Sequence, residues 1–401
     1  MAASAPAATA RKYQGLSNTE NGAISCDVVF LAHAPSIISL FSLLSREKRP
    51  LRRWKASPWM YLGWPITFLM TLWDMFVAPL LFGPYSLYGR RFQYKEATCE
   101  QWLTRAFAYQ FMFKRLRPRI ARGIEAAVRK ADEAGVKVLG LGALTKAEWI
   151  NGGGQDVLKA LEPLNLSLVH GNTLTAAVVI ENIKAASKPI KSALSGYDSI
   201  TSGSSVFLTG PTSKIGRALA LKLALEGFEV VCCTTSDERF ASLQQELALL
   251  QQQEPRDSKD NLGTLLRARR VQEGSRYKLW AVGKYDTSVR IHIRQRSSAV
   301  VFSVPCPLEG YRPDVLRTNG GILRMDSSSC TPRGQHFHLP FDQVYACQAA
   351  SLVHYLKGWT HHETGQIDIN RIDIVLQAAK ECGFSVPSAP SGGGSAAVVD
   401  V

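Results

Sequence analysis

The residues with the widest chemical reach lie near the C-terminus: Cys347 and His354 in VYACQAASLVH, then His361, His362 and Glu363. A cysteine close to a helix start ionises more readily, because the dipole favours the thiolate, and a thiolate attacks carbonyl carbon. Cys347 therefore reads either as a nucleophile or as a buried structural cysteine. His354 follows on the same helical face, roughly 10 Å further along. That is too far to hydrogen-bond Cys347, yet close enough to line one pocket with it. His361, His362 and Glu363 are either acid–base groups or solvated loop residues. His336 and His338 add two imidazoles, but no spacing matches a zinc signature, so no metal site is expected.

A second constellation spans residues 204–239, which read as strand, tight turn, helix and strand. Val206, Phe207 and Leu208 stop at Gly210; leucines and alanines then recur at helical spacing up to Gly227, and a second apolar run ends at Cys233. Such a βαβ unit buries a parallel sheet between helices. Its turn, with Gly210, Thr212, Ser213, Ile215 and Gly216, sits where a dinucleotide diphosphate meets a helix N-terminus. Ser213 stands where the fingerprint has its middle glycine. The second strand ends in Thr235, Ser236 and Arg239 rather than in an acid, which favours NADPH over NADH. The competing reading is a βαβ layer without a cofactor.

The elements that position these residues follow from composition and pattern. A chain of 401 residues, 46% hydrophobic and 20% charged, buries a substantial core. Its net charge of +14 suits an anionic surface or ligand, and no nucleic-acid partner is expected. Eight cysteines without a CxxC pair point to a reduced, intracellular setting. The expected fold class is α/β: a Rossmann-like doubly wound sheet with an apolar helical N-terminal region and a helical C-terminal segment. Its expected divisions are a disordered tail (1–24), a substrate- and membrane-associating region (25–165), a dinucleotide-binding domain (166–340), a helical segment (341–385) and a second disordered tail (386–401).

Within the N-terminal region, a basic block with Arg46, Lys48, Arg49, Arg52, Arg53 and Lys55 precedes residues 58–89, where Asp74 is the one charged side chain before the stretch closes. Pro65, Asp74 and Pro79 interrupt the roughly 20 apolar residues that a spanning helix needs. An interfacial hairpin on a lipid membrane surface is expected, against the alternative of a buried helical hairpin. Residues 114–122, KRLRPRIAR, are also basic. The first residues read as a flexible tail or an organelle transit peptide, so the endoplasmic reticulum is favoured and the chloroplast stays open. Further on, KVLGLGAL is a buried strand, GNTLTA opens a helix whose start either binds an anion or is capped, and YKLWAVG, SAVVFSVP and GILRMD extend the sheet. Two helices, FDQVYACQAASLVHYLKGW and DINRIDIVLQAAKECGF, close the ordered part.

The segments GVKVLGLGALTKAEWINGGG, LVHGNTLTAAVV, VYACQAASLVHYLKGWTHHETGQIDINRIDIV, WPITFLMTLW and SLYGRRF resemble the C-terminal domain of plant eceriferum-type wax-biosynthesis proteins, in the branch that handles very-long-chain aldehydes for alkanes. A more distant likeness joins the chain to cyanobacterial long-chain acyl-carrier-protein reductases, through Gly171-Asn172-Thr173, the Gly210 to Gly216 turn and Tyr345-Ala346-Cys347. This resemblance implies that Cys347 accepts an acyl group, that Asn172 and Thr173 join the cofactor site, and that Gly210 and Gly216 frame NADPH. The function it implies is reduction of a long-chain acyl thioester to a fatty aldehyde. The alternative it implies is a non-catalytic partner of a separate membrane di-iron aldehyde decarbonylase or oxygenase.

Overall fold

The computed structural model describes residues 26–34, 69, 72–73, 85–194, 205–253, 255, 261–283, 287–293, 297–302, 316–331, 339 and 342–387. The basic block, most of the apolar stretch, both tails, His336 and His338 lie outside the described residues. Among the described residues, no helix is long and apolar enough to cross a membrane.

The first sheet contains β1 (Val28–Ala34), β2 (Tyr85–Tyr94), β3 (Ala97–Phe107), β4 (Val138–Leu141) and β5 (Ser167–Val169), with one further short edge strand described below. β1 lies inside it, parallel to both β3 and β4, and its run Val28–Leu31 is buried on both faces. β2 runs antiparallel to β3, where Glu100 and Arg91 pair across the strands. Sequence reasoning missed these two strands: the alternation that marks a half-buried strand breaks at Glu100–Gln101 in β3.

The second sheet contains β6 (Ser205–Thr209), β7 (Glu229–Cys233), β8 (Leu265–Ala268), β9 (Leu279–Val282), β10 (Ser298–Val301) and β11 (Leu316–Asn319). All its pairings are parallel, in the order β11-β10-β9-β6-β7-β8. Counted from its own first strand, this is the doubly wound Rossmann order, and strand direction around the sheet switches between β6 and β9.

GILRMD, expected in this sheet, instead forms β12 (Ile322–Met325) of a third, antiparallel sheet. A short β13 (Cys330–Thr331) returns to the edge of the first sheet beside β2, while β14 (Gln343–Tyr345) and β15 (Phe384–Ser385) flank β12. Pairing of Ile322 with Tyr345 draws Gln343–Tyr345 out of the expected helix, which therefore starts at Ala346. Long-range strand pairing overrides the local apolar pattern there.

Seven helices matter for the site: α1 (Arg117–Glu133), α2 (Gln155–Leu161), α3 (Asn172–Leu194), α4 (Lys214–Leu225), α5 (Asp237–Gln253), α6 (Ala346–Leu356) and α7 (Ile372–Glu381). α3 is apolar around most of its circumference, and Leu174, Val178, Val179 and Ile183 are fully buried. A helix of that kind belongs inside a core, where each such side chain contributes about 1.5–3 kcal/mol relative to exposure. It packs against α4, α6 and α7, so one continuous core joins both large sheets. Polar ties fix the same junction: Arg217 on α4 bonds Glu246 on α5 and the Ile367 carbonyl, and Lys222 lies 2.6 Å from Asp373 on α7.

Candidate functional site

The site gathers at the carboxyl ends of β4, β5 and β6, the end where open α/β sheets bind ligands. After β5 the chain passes His170 and turns through Gly171, at φ +63°, into α3. Glu363 arrives from the loop after α6: its amide bonds the Leu168 carbonyl, and its own carbonyl accepts from the His170 amide, so the loop runs as an extra edge on β5. This pins the Glu363 carboxylate beneath the helix start. His170 Nδ1 lies 2.8 Å from its Oε1, and the Thr173 amide donates to the same oxygen at 3.3 Å. Burial alone would raise this carboxyl, but the His170 hydrogen bond and charge, nearby His354 and the Thr173 amide outweigh it and hold Glu363 at about 2. Thr173 is thus placed with its amide on Glu363, and Asn172 opens the helix beside the His170 ring.

Cys347 lies in the first turn of α6, half-buried, with its backbone pressed on Gly171. A Cβ at Gly171 would come within 2.5 Å of the Cys347 carbonyl oxygen. Glycine there is a close-packing requirement as well as a conformational one. Beside this contact, Lys146 crosses from the turn after β4 and donates from Nζ to the His170 carbonyl at 2.7 Å. Burial pushes the Lys146 ammonium below the ordinary lysine range, while Cys347 and Glu363 pull it back up. Sequence reasoning missed Lys146, since nothing in KAEWI marks it.

Deeper along α6, Gln348, Ser351 and His354 are at most 2% exposed. Both amide atoms of Gln348, the Ser351 hydroxyl and Nε2 of His354 have no hydrogen-bond partner. Ser351 reaches this position because Gly140 on β4 presents no side chain against its hydroxyl. His354 packs edge-on to Trp359 and 4.8 Å from the His361 ring, and burial lowers it to about 4, so it is neutral. Four buried polar atoms left open on one helix are costly, at about 1–3 kcal/mol each, and mark where a polar ligand or water is accommodated.

The Rossmann turn faces the same junction. Gly210 adopts φ +72°, and a Cβ on Gly216 would collide with the Gly210 carbonyl oxygen, so both glycines serve the turn. Ser213 is the N-cap of α4: its Oγ accepts from the Gly216 amide at 3.1 Å and donates to the Gly210 carbonyl at 2.8 Å. One donor that a diphosphate would use is therefore already occupied. Thr212 and Ile215 are half-buried beside it. Lys214 reaches across to the glycine turn at Gly153 and lies 2.5 Å from Glu148. The residues retain the shape of a nucleotide turn with a self-capped helix start.

At the end of β7, Thr235 and Arg239 are exposed, and the Ser236 Oγ accepts from the Arg239 amide at 3.3 Å. This group lies at a different strand end from Cys347 and His354. Sequence reasoning also missed Arg267 on the neighbouring strand β8 and Arg269 just after it, both paired with Asp237. Among the described residues, no group of three or more His, Cys, Asp or Glu is placed to hold a metal ion.

Comparison with known proteins adds a family. Residues 206–386 match the family described as CER1-like, C-terminal domain. The chain is 32% identical over 373 residues to the very-long-chain aldehyde decarbonylase GL1-2 of Oryza sativa subsp. japonica, covering 90% of this chain and 52% of that protein. It is 26% identical to the very-long-chain aldehyde decarbonylase CER1 of Arabidopsis thaliana, over 91% of this chain and 53% of that protein. The chain thus spans about half the length of these curated relatives. L-tryptophan dehydrogenase from Nostoc punctiforme overlays 89% of this chain and 80% of its own at 11% identity, with a TM-score of 0.38, too low to bear on the site. The eceriferum resemblance holds. The expected reduction of an acyl thioester does not: the similar proteins are named for acting on an aldehyde, the compound that such a reductase would release.

Proposed function

Residues 206–386 are a CER1-like C-terminal domain, and from that premise we propose that this chain is the non-catalytic, aldehyde-holding partner of a separate membrane di-iron decarbonylase. The observation that carries the reading is the likeness to proteins named very-long-chain aldehyde decarbonylases, which align with this chain over 52–53% of their length. What the described residues offer is a set of buried polar groups around α6. The Lys146 ammonium and the unpartnered Gln348 amide are donors for a carbonyl oxygen, and neutral His354 keeps the inner end free of charge.

A nucleotide at the Rossmann turn forms the second part of the proposal, favoured by the strand order that puts Gly210 and Gly216 at the switch point. Gly210, Thr212, Ile215 and Gly216 would frame its diphosphate, with Thr235, Ser236 and Arg239 toward the ribose phosphate of NADPH. Bound there, NADPH would supply reducing equivalents. The proposed place of action is the endoplasmic-reticulum membrane, where the partner's lipid substrate is held.

The test is reconstitution. The chain, a very-long-chain aldehyde and NADPH should yield no alkane, and adding the membrane decarbonylase should give alkane at a rate that rises with added chain. Alkane made by the chain alone, or a partner rate indifferent to the chain, overturns the reading.

A further inference from the structure

We propose that the end of the first sheet carrying Met112, Phe113 and the cations Lys114, Arg115 and Arg122 docks on an anionic phospholipid surface. Met112 and Phe113 are 67% and 57% exposed, two large apolar side chains in sequence at the surface. Trp149, 41% exposed, stands close by, held edge-on to Phe111 and under the Arg117 guanidinium at 4.2 Å. Buried Phe111 thus anchors a tryptophan in the open, and aromatic side chains of this kind sit at headgroup level.

Charge tells the same way. Residues 101–124 contain Arg105, Lys114, Arg115, Arg117, Arg119 and Arg122, and no acid. The first turn of α1 therefore carries Arg117 and Arg119 and no acid of its own, where the helix dipole favours anions. Arg117 is used locally, over Trp149 and on the Phe111 carbonyl, and an anionic surface facing the turn would answer the charge of its exposed neighbours. The nearby acid Glu148 is engaged by Lys214.

Topology adds a third, independent argument. β1 and β3 are parallel and end together, Ala34 opposite Phe107, while antiparallel β2 begins opposite Thr104. The chain therefore leaves the sheet at Ala34 and re-enters at Tyr85 at the end where Met112 and Phe113 project. The sequence between those two points holds the basic block and most of the apolar stretch that begins at Pro58. Apolar side chains flanked by cations, gathered at one end of a sheet, fit lipid headgroups and the outer acyl region better than a protein partner, whose interface core is depleted in charge. The inference is independent of the reaction at the buried site.

Co-sedimentation of the full chain with phosphatidylcholine vesicles, with and without phosphatidylserine, tests it. Wild type should partition to the anionic vesicles, and less so as salt rises. Met112→Ser with Phe113→Ser should lower that partition about tenfold. Lys114→Gln, Arg115→Gln and Arg122→Gln together should lower it at least about tenfold at low salt and remove the preference for phosphatidylserine. All five side chains are exposed, so thermal unfolding of both variants should match wild type. Absence of vesicle binding, equal binding to neutral and anionic vesicles, or binding unchanged in both variants overturns the proposal.

Discussion

Two helices of this molecule begin alike and end up in opposite electrostatic states. α3 and α4 each follow a parallel strand, and each strand leads into a glycine with positive φ, Gly171 after β5 and Gly210 after β6. At α3 the chain supplies its own anion: the Glu363 carboxylate accepts from the Thr173 amide and pairs with His170. At α4 it supplies only the neutral Ser213 hydroxyl. A helix start that holds an internal carboxylate has its dipole answered, whereas one capped by a hydroxyl keeps its partial positive charge. The difference assigns α3 to holding the buried polar site together and leaves α4 as the start able to meet an external phosphate.

The largest expected effect comes from removing the internal anion. Glu363→Gln should cost about 4 kcal/mol in chemical denaturation, because it leaves His170 and the α3 amides facing each other without a carboxylate. The wild-type contribution is complete above the ordinary carboxylate range, near 4.5, and is lost as pH falls toward about 2; the variant should lose that part of the slope over the interval. A loss below about 1 kcal/mol would mean that water, not Glu363, answers the α3 dipole.

Next in size is the glycine that brings Cys347 against α3. Gly171→Ala combines a left-handed backbone with a Cβ 2.5 Å from the Cys347 carbonyl oxygen, and should destabilise by about 3 kcal/mol. Retention of the wild-type melting temperature would show that α6 is free to shift away, and the site would not be rigid.

The third test reads the buried end of the same site. His354 is lowered to about 4 mainly by burial, so between pH 6.5 and 4 the unfolded chain takes up a proton that the folded chain refuses. Wild-type stability should therefore fall across that window as pH drops, by roughly 2–3 kcal/mol. His354→Gln should remove that part of the slope; an identical slope in the variant would place the imidazole in contact with solvent.

The smallest effect belongs to α4. Ser213→Ala should cost about 1 kcal/mol of stability and Ser213→Gly only a few tenths. By freeing the Gly216 amide, the glycine variant should bind NADPH more tightly than wild type in calorimetry. Weaker binding by Ser213→Gly would mean that the hydroxyl is itself a ligand to the nucleotide, and the contrast with α3 would lose its point.

How much of the molecule is legible in its sequence divides along one line. Residues 205–233 declare themselves: apolar runs of strand length, helical spacing between them, and Gly210, Gly216 and Gly227 at turn and helix-end positions all act within a few residues of each other. α7 is equally readable from its apolar face and Gly383, as are the cysteine and histidine of α6. β2 and β3 are not, because their charged positions make sense only once one face is known to be buried.

The sequence by itself also determined the family resemblance and the presence of a nucleotide-type turn, since these reside in short contiguous strings. Tertiary structure alone decided what those strings face. Glu363 reaches the Thr173 amide across 190 positions, Lys146 finds the His170 carbonyl across 24, and Gly171 meets the Cys347 backbone. Periodicity and capping act over one or two turns, so they place a residue on an element. Which charge answers which dipole depends on how sheets and helices dock, and that is fixed by burial summed over the whole core.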